Sequence, residues 1–246
     1  MTPRKQRIDQ LLVERRLAET REKARALILA GHVLVDGQRQ DKAGHAVRSD
    51  ARIEILERPR FVSRGGMKLE AALNRFGVSV EGKICLDVGS STGGFTDCLL
   101  QRGARRVYAI DVGTGQLDWK LRKDARVVVQ EQVNARHLSK TEVPEAVDLA
   151  VCDVSFISVT MILPVVPPLM SDAGEMIILV KPQFELEKRQ IGKGGIVRDA
   201  CLHQRACDRA EAAVRELGFA AELMPSPILG AEGNQEFLLH AKRRHA

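Results

Sequence analysis

The segment Ile84-Cys85-Leu86-Asp87-Val88-Gly89-Ser90-Ser91-Thr92-Gly93-Gly94-Phe95-Thr96 decides the fold. An apolar run of a strand's length breaks into a glycine turn, which opens onto the helical pattern Phe95–Arg102. Further along, Val107–Ile110 is a second apolar run, ending in Asp111. Val127–Val129, Val147–Val151 and Met176–Val180 follow, with helical stretches between the later ones. Strands and helices alternating at this spacing predict an α/β fold with a mostly parallel, doubly wound sheet.

The turn itself narrows the ligand. Glycines there let a ligand approach the backbone closely and supply positive φ at little cost. The spacing G-x-x-x-G-G is not the dinucleotide G-x-G-x-x-G, and no G-K-[ST] follows. Neither an NAD pyrophosphate nor a P-loop phosphate is favoured. Asp87, just before the turn, suits a cationic or amino-bearing ligand, and Asp111 is placed to accept from ribose hydroxyls. Both features together describe S-adenosylmethionine, whose methionine amino group and ribose need acceptors. The candidate cofactor residues are Asp87, Gly89, Ser90, Ser91, Thr92, Gly93, Gly94, Phe95 and Asp111.

Composition excludes several classes. The 246 residues are 44% hydrophobic and 28% charged, as in a soluble globular chain. At 4% aromatic, the chain is a poor match for a single-strand binder built on stacking platforms. The longest apolar run, near Met161–Met170, carries three prolines and is shorter than the roughly 20 residues of a membrane helix. Residues 1–15 are charged throughout, with no signal-peptide apolar core, so the expectation is a cytoplasmic protein that does not enter a membrane. The five cysteines form no C-x-x-C pair and read as free buried thiols, and the six histidines do not cluster, so no metal site is expected.

Charge is unevenly placed. Residues 1–60 hold 14 Lys+Arg against 9 Asp+Glu, a net of +5 out of the total of +6. A basic module on a near-neutral body suggests a polyanion partner, nucleic acid ahead of membrane. Within it, Ile8, Leu11, Leu12 and Arg15 follow helical spacing, and Thr20 looks like the N-cap of a second helix, Arg21–Ala30, that stops at Gly31. Val33–Val35 then runs into Asp36-Gly37, a hairpin signal, and Arg52–Ile55 alternates as a strand. Arg4, Lys5, Arg7, Arg21, Lys23 and Arg25 are the candidate phosphate contacts, with His32 close to the second helix. The pattern Arg7-Ile8-Asp9-x-x-Leu12, Thr20-Arg21-x-x-Ala24, Ile28-x-x-Gly31-x-Val33-x-Val35-x-Gly37 resembles the small RNA-binding domain first seen in ribosomal protein S-four.

Arg58-Pro59-Arg60 breaks the last strand of the module, and Ser63-Arg64-Gly65-Gly66 reads as a flexible joint. The expected organisation is a module over 1–60, a linker over 61–66 and a catalytic domain over 67–246 that starts with the amphipathic helix Met67–Phe76. Four charged residues stand out. Asp153 ends the fourth strand at the sheet's carboxyl edge, where ligands of open α/β sheets bind. Lys181 directly follows a buried apolar strand, Glu236 opens the last strand, and Lys68 lies in the helix leading into the domain.

Each residue alone is a weak signal, but together they carry a resemblance covering Phe61–Lys242. The set Lys68–Asp153–Lys181–Glu236 resembles the Lys-Asp-Lys-Glu tetrad of FtsJ-type RNA ribose 2′-O-methyltransferases. The matching contexts are Ser63-Arg64-Gly65-Gly66-Met67-Lys68-Leu69, the GSSTGGF turn, CDVSFIS and VKPQFE. The turn departs from the FtsJ form in its Ser-Ser-Thr. With the N-terminal module, the chain resembles the TlyA family of ribosomal RNA methyltransferases, whose members also carry the name haemolysin A. The resemblance implies cytidine ribose as target, in large-subunit RNA and in some members small-subunit RNA as well, so ribosomal RNA or a ribosomal subunit is the expected partner.

That chemistry needs these residue types. A ribose 2′-hydroxyl is a very weak acid, so its attack on a sulfonium methyl needs a base and a fixed line of approach. Lys181 suits the base if burial and neighbouring positive charge from Lys68 and the sulfonium lower its proton affinity. Otherwise it positions the hydroxyl while the proton leaves late. Asp153 and Glu236 would orient the ammonium groups. The competing classes are an RNA-binding assembly factor with an inactive catalytic domain, a pore-forming cytolysin and a pseudouridine synthase. The intact tetrad weighs against the first, and the absence of spanning segments against the second. The third would need neither the glycine turn nor Asp111.

Overall fold

In the computed structural model, which describes residues 5–29, 31–56, 60–230 and 233–243, Thr20 caps the second helix of the N-terminal unit. Its Oγ1 accepts from the Lys23 backbone N–H at 3.2 Å. Arg4 lies outside the described residues. The chain divides into two units, Met1–Arg60 and Phe61–Ala246. The first runs β1 (Lys5–Arg7), α1 (Ile8–Glu14), α2 (Arg21–Leu29), β2 (Val33–Val35), β3 (Gln38–Gln40), β4 (Ala46–Arg48) and β5 (Ile53–Ile55). Asp36 and Gly37 both take positive φ, as a two-residue hairpin turn requires, and they join β2 to β3. The strands form a β3-β2-β5 sheet and a separate β1-β4 pair. Ile8, Leu11 and Leu12 of α1 bury against Ala24 and Ile28 of α2 and Val33 of β2.

The second unit opens with α3 (Gly65–Phe76), two residues earlier than the apolar pattern predicts. The expected flexible linker over 61–66 is corrected by this start. Phe61 is buried, and a Cβ on Gly66 would fall 2.3 Å from its ring, so the glycine serves close packing. Then follow β6 (Ile84–Val88), α4 (Gly94–Gln101), β7 (Arg106–Ile110), α5 (Trp119–Arg122), β8 (Val127–Gln130) and β9 (Val147–Cys152). β10 (Met170–Val180), α6 (Pro182–Glu185), α7 (Ala200–Glu216), β11 (Phe219–Pro225) and β12 (Phe237–Arg243) complete it.

The seven strands are ordered β11-β12-β10-β9-β6-β7-β8. From β10 to β8 every neighbouring pair is parallel, while β12 and β11 add an antiparallel edge. Helices cover both faces. Leu86 and Val88 pack on the side of Ala210 and Val214 from α7. Cys85 packs on the side of Leu69 and Leu73 from α3 and Cys98 and Leu99 from α4. Strands buried on both sides read as nearly continuous apolar runs, which is why β6, β7 and β9 stand out in the sequence, broken only by Asp87 in β6, Asp148 in β9 and Arg106 at the start of β7. Four of the five free cysteines are buried, whereas Cys201 is exposed on α7, contrary to the reading of all five as buried. Among the described residues, no helix is long and apolar enough to cross a membrane.

Candidate active site

The strand order reverses between β6 and β9, and ligands of open α/β sheets bind at the carboxyl ends of such a pair. The chain leaves β6 at Gly89 and β9 at Asp153, and the Asp153 N–H donates to the Val88 carbonyl at 2.9 Å. Gly89 sits at φ +84°, and a Cβ there would fall 2.4 Å from the Asp153 carbonyl oxygen. Only glycine fits where these two strand ends meet.

Four separate segments bring the tetrad to one cavity of about 410 Å³, lined also by turn residues 89–92, 94 and 95. The side chains form two ion pairs. Lys68 Nζ, from α3, lies 2.5 Å from Glu236 Oε2, just ahead of β12. Lys181 Nζ, just past β10, lies 2.6 Å from Asp153 Oδ1 and donates to Ser155 Oγ at 2.8 Å. Both lysines are buried, at 8% exposure, which a casual surface charge would not be. Each ammonium has its carboxylate, as burial of a charge demands.

A second cavity of about 460 Å³ adjoins the first and shares Gly89, Ser91, Asp153, Ser155 and Phe156 with it. Its walls are apolar at Ile110, Val133 and Ile162 and polar at Asp111, Asn134 and Arg136. Asp111 is fixed by two backbone donors, Ser91 N–H to Oδ2 and Gly113 N–H to Oδ1, both at 2.7 Å. A carboxylate oriented in this way keeps lone pairs for a ligand's hydroxyl groups. An apolar slot with one fixed carboxylate at its edge is the shape a nucleoside needs.

Two expected ligand contacts do not face either cavity. Asp87 is completely buried and accepts from Thr96 Oγ1 at 2.6 Å, so it braces the first turn of α4 against β6. Burial pushes its carboxyl up to about 7, against the Thr96 hydrogen bond, with Asp153 and Asp111 adding to the rise. Gly93 faces inward, where a Cβ would fall 2.2 Å from Leu121. The remaining turn residues and Asp111 all line one cavity or both.

Three residues to which the sequence reading gave no role belong to the site. Ser155 is the second partner of Lys181. Phe156 is 91% exposed in a left-handed conformation (φ +66°) at the mouth of both cavities, its ring 5.4 Å from that of Phe184. Glu185 is buried and ties down the same loop, accepting from the Val159 N–H at 2.8 Å and from Ser158 Oγ at 2.5 Å. Burial raises its carboxyl above the ordinary range. All three lie inside the CDVSFIS and VKPQFE stretches, but neither a positive φ at a phenylalanine nor a loop anchor leaves a mark in sequence.

In the N-terminal unit, Lys5, Arg7, Arg21, Lys23 and Arg25 are all exposed. Arg7 and Arg21 both bind the carboxylate of Asp9, and Lys23 pairs with Glu19.

The FtsJ-like methyltransferase family profile matches residues 61–243, and the S4 domain profile matches residues 6–53. YqxC of Bacillus subtilis, provisionally named an rRNA methyltransferase, is 49% identical over 243 residues, covering 98% of this chain and 86% of that protein. The 16S/23S rRNA (cytidine-2'-O)-methyltransferase TlyA of Mycobacterium tuberculosis is 44% identical over 239 residues, 96% of this chain and 89% of that one. Among solved structures, a protein of Streptococcus thermophilus provisionally described as a hemolysin superposes with a TM-score of 0.75 at 44% identity. It covers 100% of this chain, which in turn covers 90% of it.

Proposed function

The chain belongs to the FtsJ-like methyltransferase family, and on that footing we propose that it transfers a methyl group from S-adenosylmethionine to a cytidine ribose 2′-hydroxyl in ribosomal RNA. Large-subunit RNA is the principal substrate in this reading and small-subunit RNA a second one, modified in the cytoplasm. The observation that carries it is the Lys181 ammonium, held by Asp153 and Ser155 in a cavity that opens onto the nucleoside-shaped slot beside Asp111. Similarity to the Mycobacterium tuberculosis enzyme supports the choice of cytidine.

Asp111 would hold the cofactor's ribose hydroxyls, and the turn at residues 89–92 its methionine end. The closeness of Gly89 to Asp153 and the polar edge of the slot both fit that group. When bound, S-adenosylmethionine supplies an electrophilic methyl on a positively charged sulfur.

The protein's part is to place the hydroxyl and take its proton. Lys181 Nζ donates to the hydroxyl oxygen and fixes its line of approach. As the oxygen–carbon bond forms and the sulfur–methyl bond breaks to leave a neutral thioether, the hydroxyl proton passes to the Asp153 carboxylate, the unprotonated member of the Lys181–Asp153 pair, and from there to water. Lys68 and Glu236 neutralise each other across the cavity, and Lys68 presents positive charge to the incoming nucleotide. The N-terminal unit grips RNA through phosphates at Lys5, Arg7, Arg21, Lys23 and Arg25.

The test is incubation of the purified protein with methyl-labelled S-adenosylmethionine and, separately, large subunits, small subunits and free ribosomal RNA. Label in RNA from one or more of these supports the reading. RNA binding without label would instead favour an assembly factor with a silent catalytic domain.

A further inference from the structure

Asp9 is completely buried, yet its carboxylate joins two of the exposed arginines proposed above, Arg7 and Arg21, to one point. Arg7 approaches it with two parallel bonds, Nε to Oδ1 at 3.0 Å and Nη2 to Oδ2 at 2.9 Å. Arg21, twelve residues away on α2, adds Nε to Oδ2 at 3.0 Å. The carboxylate is itself fixed. It stands at the start of α1, where the Ile8 and Asp9 N–H groups donate to the carbonyls of His45 and Ala43. The Arg7 guanidinium lies against Gly44, where an added Cβ would come within 3.1 Å of Nη1. These contacts hold Arg7 from behind while 44% of its side chain, and 52% of Arg21's, faces solvent.

We propose that Asp9 is a positioning residue for RNA binding, holding Arg7 and Arg21 as a preformed two-arginine fork for one backbone phosphate. Two guanidiniums and one carboxylate leave a net charge of +1, the complement of a single phosphodiester. Each guanidinium uses one edge on Asp9 and keeps its other N–H groups for the ligand, an arrangement that lysine's single ammonium cannot copy. The neighbouring Arg7 and Arg21 keep the Asp9 carboxyl well below the usual range, down to about 2, so it stays an anion throughout the neutral region. Holding long side chains in the bound geometry beforehand removes an ordering cost that free arginines bear on binding.

This proposal rests on the reading of the N-terminal unit as an RNA-binding module, and the experiment separates the two. The full-length protein is titrated with a fluorescent hairpin transcript of large-subunit ribosomal RNA over a range of salt concentrations, alongside Asp9→Asn. Simple electrostatics predicts that removing a negative charge tightens RNA binding. A fork that loses its anchor predicts the reverse, a loss of about tenfold in affinity. The slope of log affinity against log salt stays the same, because the number of phosphate contacts is unchanged. S-adenosylmethionine affinity is the control for the rest of the fold and should not move. Affinity equal to or above wild type would overturn the proposal and leave the RNA-binding reading standing. If Asp9→Asn fails to fold, Arg7→Lys/Arg21→Lys keeps every charge but not the fork. It should show the same loss at the same slope, and an unchanged affinity there would also overturn the proposal. Wild-type protein without salt-dependent RNA binding would remove the module reading and the proposal together.

Discussion

Lys181 and Asp153 stand side by side because they follow neighbouring parallel strands, β10 and β9, whose register pairs Ile178 with Cys152. The 2.6 Å ion pair is thus set by the sheet rather than by a mobile loop. A charge pair mounted this way keeps its geometry when substrate arrives, which is what positioning a weak nucleophile demands.

Replacing Lys181 with Ala should cut turnover by about 10²–10⁴-fold, the usual scale for general acid–base work. S-adenosylmethionine affinity should change little, because the cofactor is assigned to the turn and Asp111. Lys181→Arg should rescue poorly, since its planar fork cannot take the place of a single ammonium between Asp153 and Ser155. Single-turnover methylation with parallel calorimetric titration of cofactor checks both statements. A near wild-type rate for folded Lys181→Ala would make the residue a strand cap.

The Lys68–Glu236 pair makes a stability prediction. Glu236→Gln leaves a buried ammonium without its counter-charge, and breaking a buried pair on one side typically costs roughly 3–5 kcal/mol. Urea titration of the variant should show that loss, and the double variant Lys68→Met/Glu236→Gln should recover part of it. Recovery of stability without recovery of methylation would place the pair in the chemistry as well as in the fold.

Gly89→Ala should damage both ligand cavities at once. The left-handed backbone alone costs a non-glycine residue about 1–2 kcal/mol. The new Cβ would also push on the Asp153 carbonyl, 2.4 Å away. Cofactor binding and turnover should fall together, and retention of either at the wild-type level would mean that the turn and Asp153 move independently.

Asp87 gives a pH dependence. Its carboxyl is raised from an ordinary 3.8 to about 7, so folding favours the protonated form. Below about pH 4 the folded and unfolded chains are both protonated there, and Asp87 costs nothing. Between about pH 4 and 7 only the unfolded chain ionises, so stability falls as pH rises, and the loss levels off above 7. Asp87→Asn should flatten that slope in the methyltransferase unit, measured by urea titration from pH 4 to 8. A slope identical to wild type would mean Asp87 is charged in the folded protein.

The sheet was legible in the sequence because strands covered on both faces are nearly all apolar, as Ile84–Val88 and Val147–Cys152 are apart from Asp87 and Asp148. β11 was not. Its burial alternates irregularly at the antiparallel edge, and FAAELMP lacks the run of β-branched residues that marks a strand. In the first unit β2 and β5 were legible beside the hairpin signal, whereas the mostly exposed three-residue strands β1, β3 and β4 are too short to show a period. In the site, Asp153, Lys181 and Glu236 could be picked out because each directly follows or precedes an apolar strand, whereas Lys68 lies inside α3 and stood out only by its Ser63–Leu69 context. The direction of a side chain is another matter. Asp87 stands next to last in β6 and Asp111 directly follows β7, yet the first turns inward to Thr96 and the second outward to the slot. Asp9 was hidden for a similar reason, since its partners lie two and twelve residues away on separate elements.

The central claim is that this chain methylates a ribose 2′-oxygen. The most direct measurement is mass spectrometry of nucleosides from ribosomal RNA incubated with S-adenosylmethionine and either the wild-type protein or Lys181→Ala. The expected result is 2′-O-methylcytidine with the wild-type protein and almost none with the variant. A methyl group found on a base, or equal 2′-O-methylation by both proteins, would contradict it.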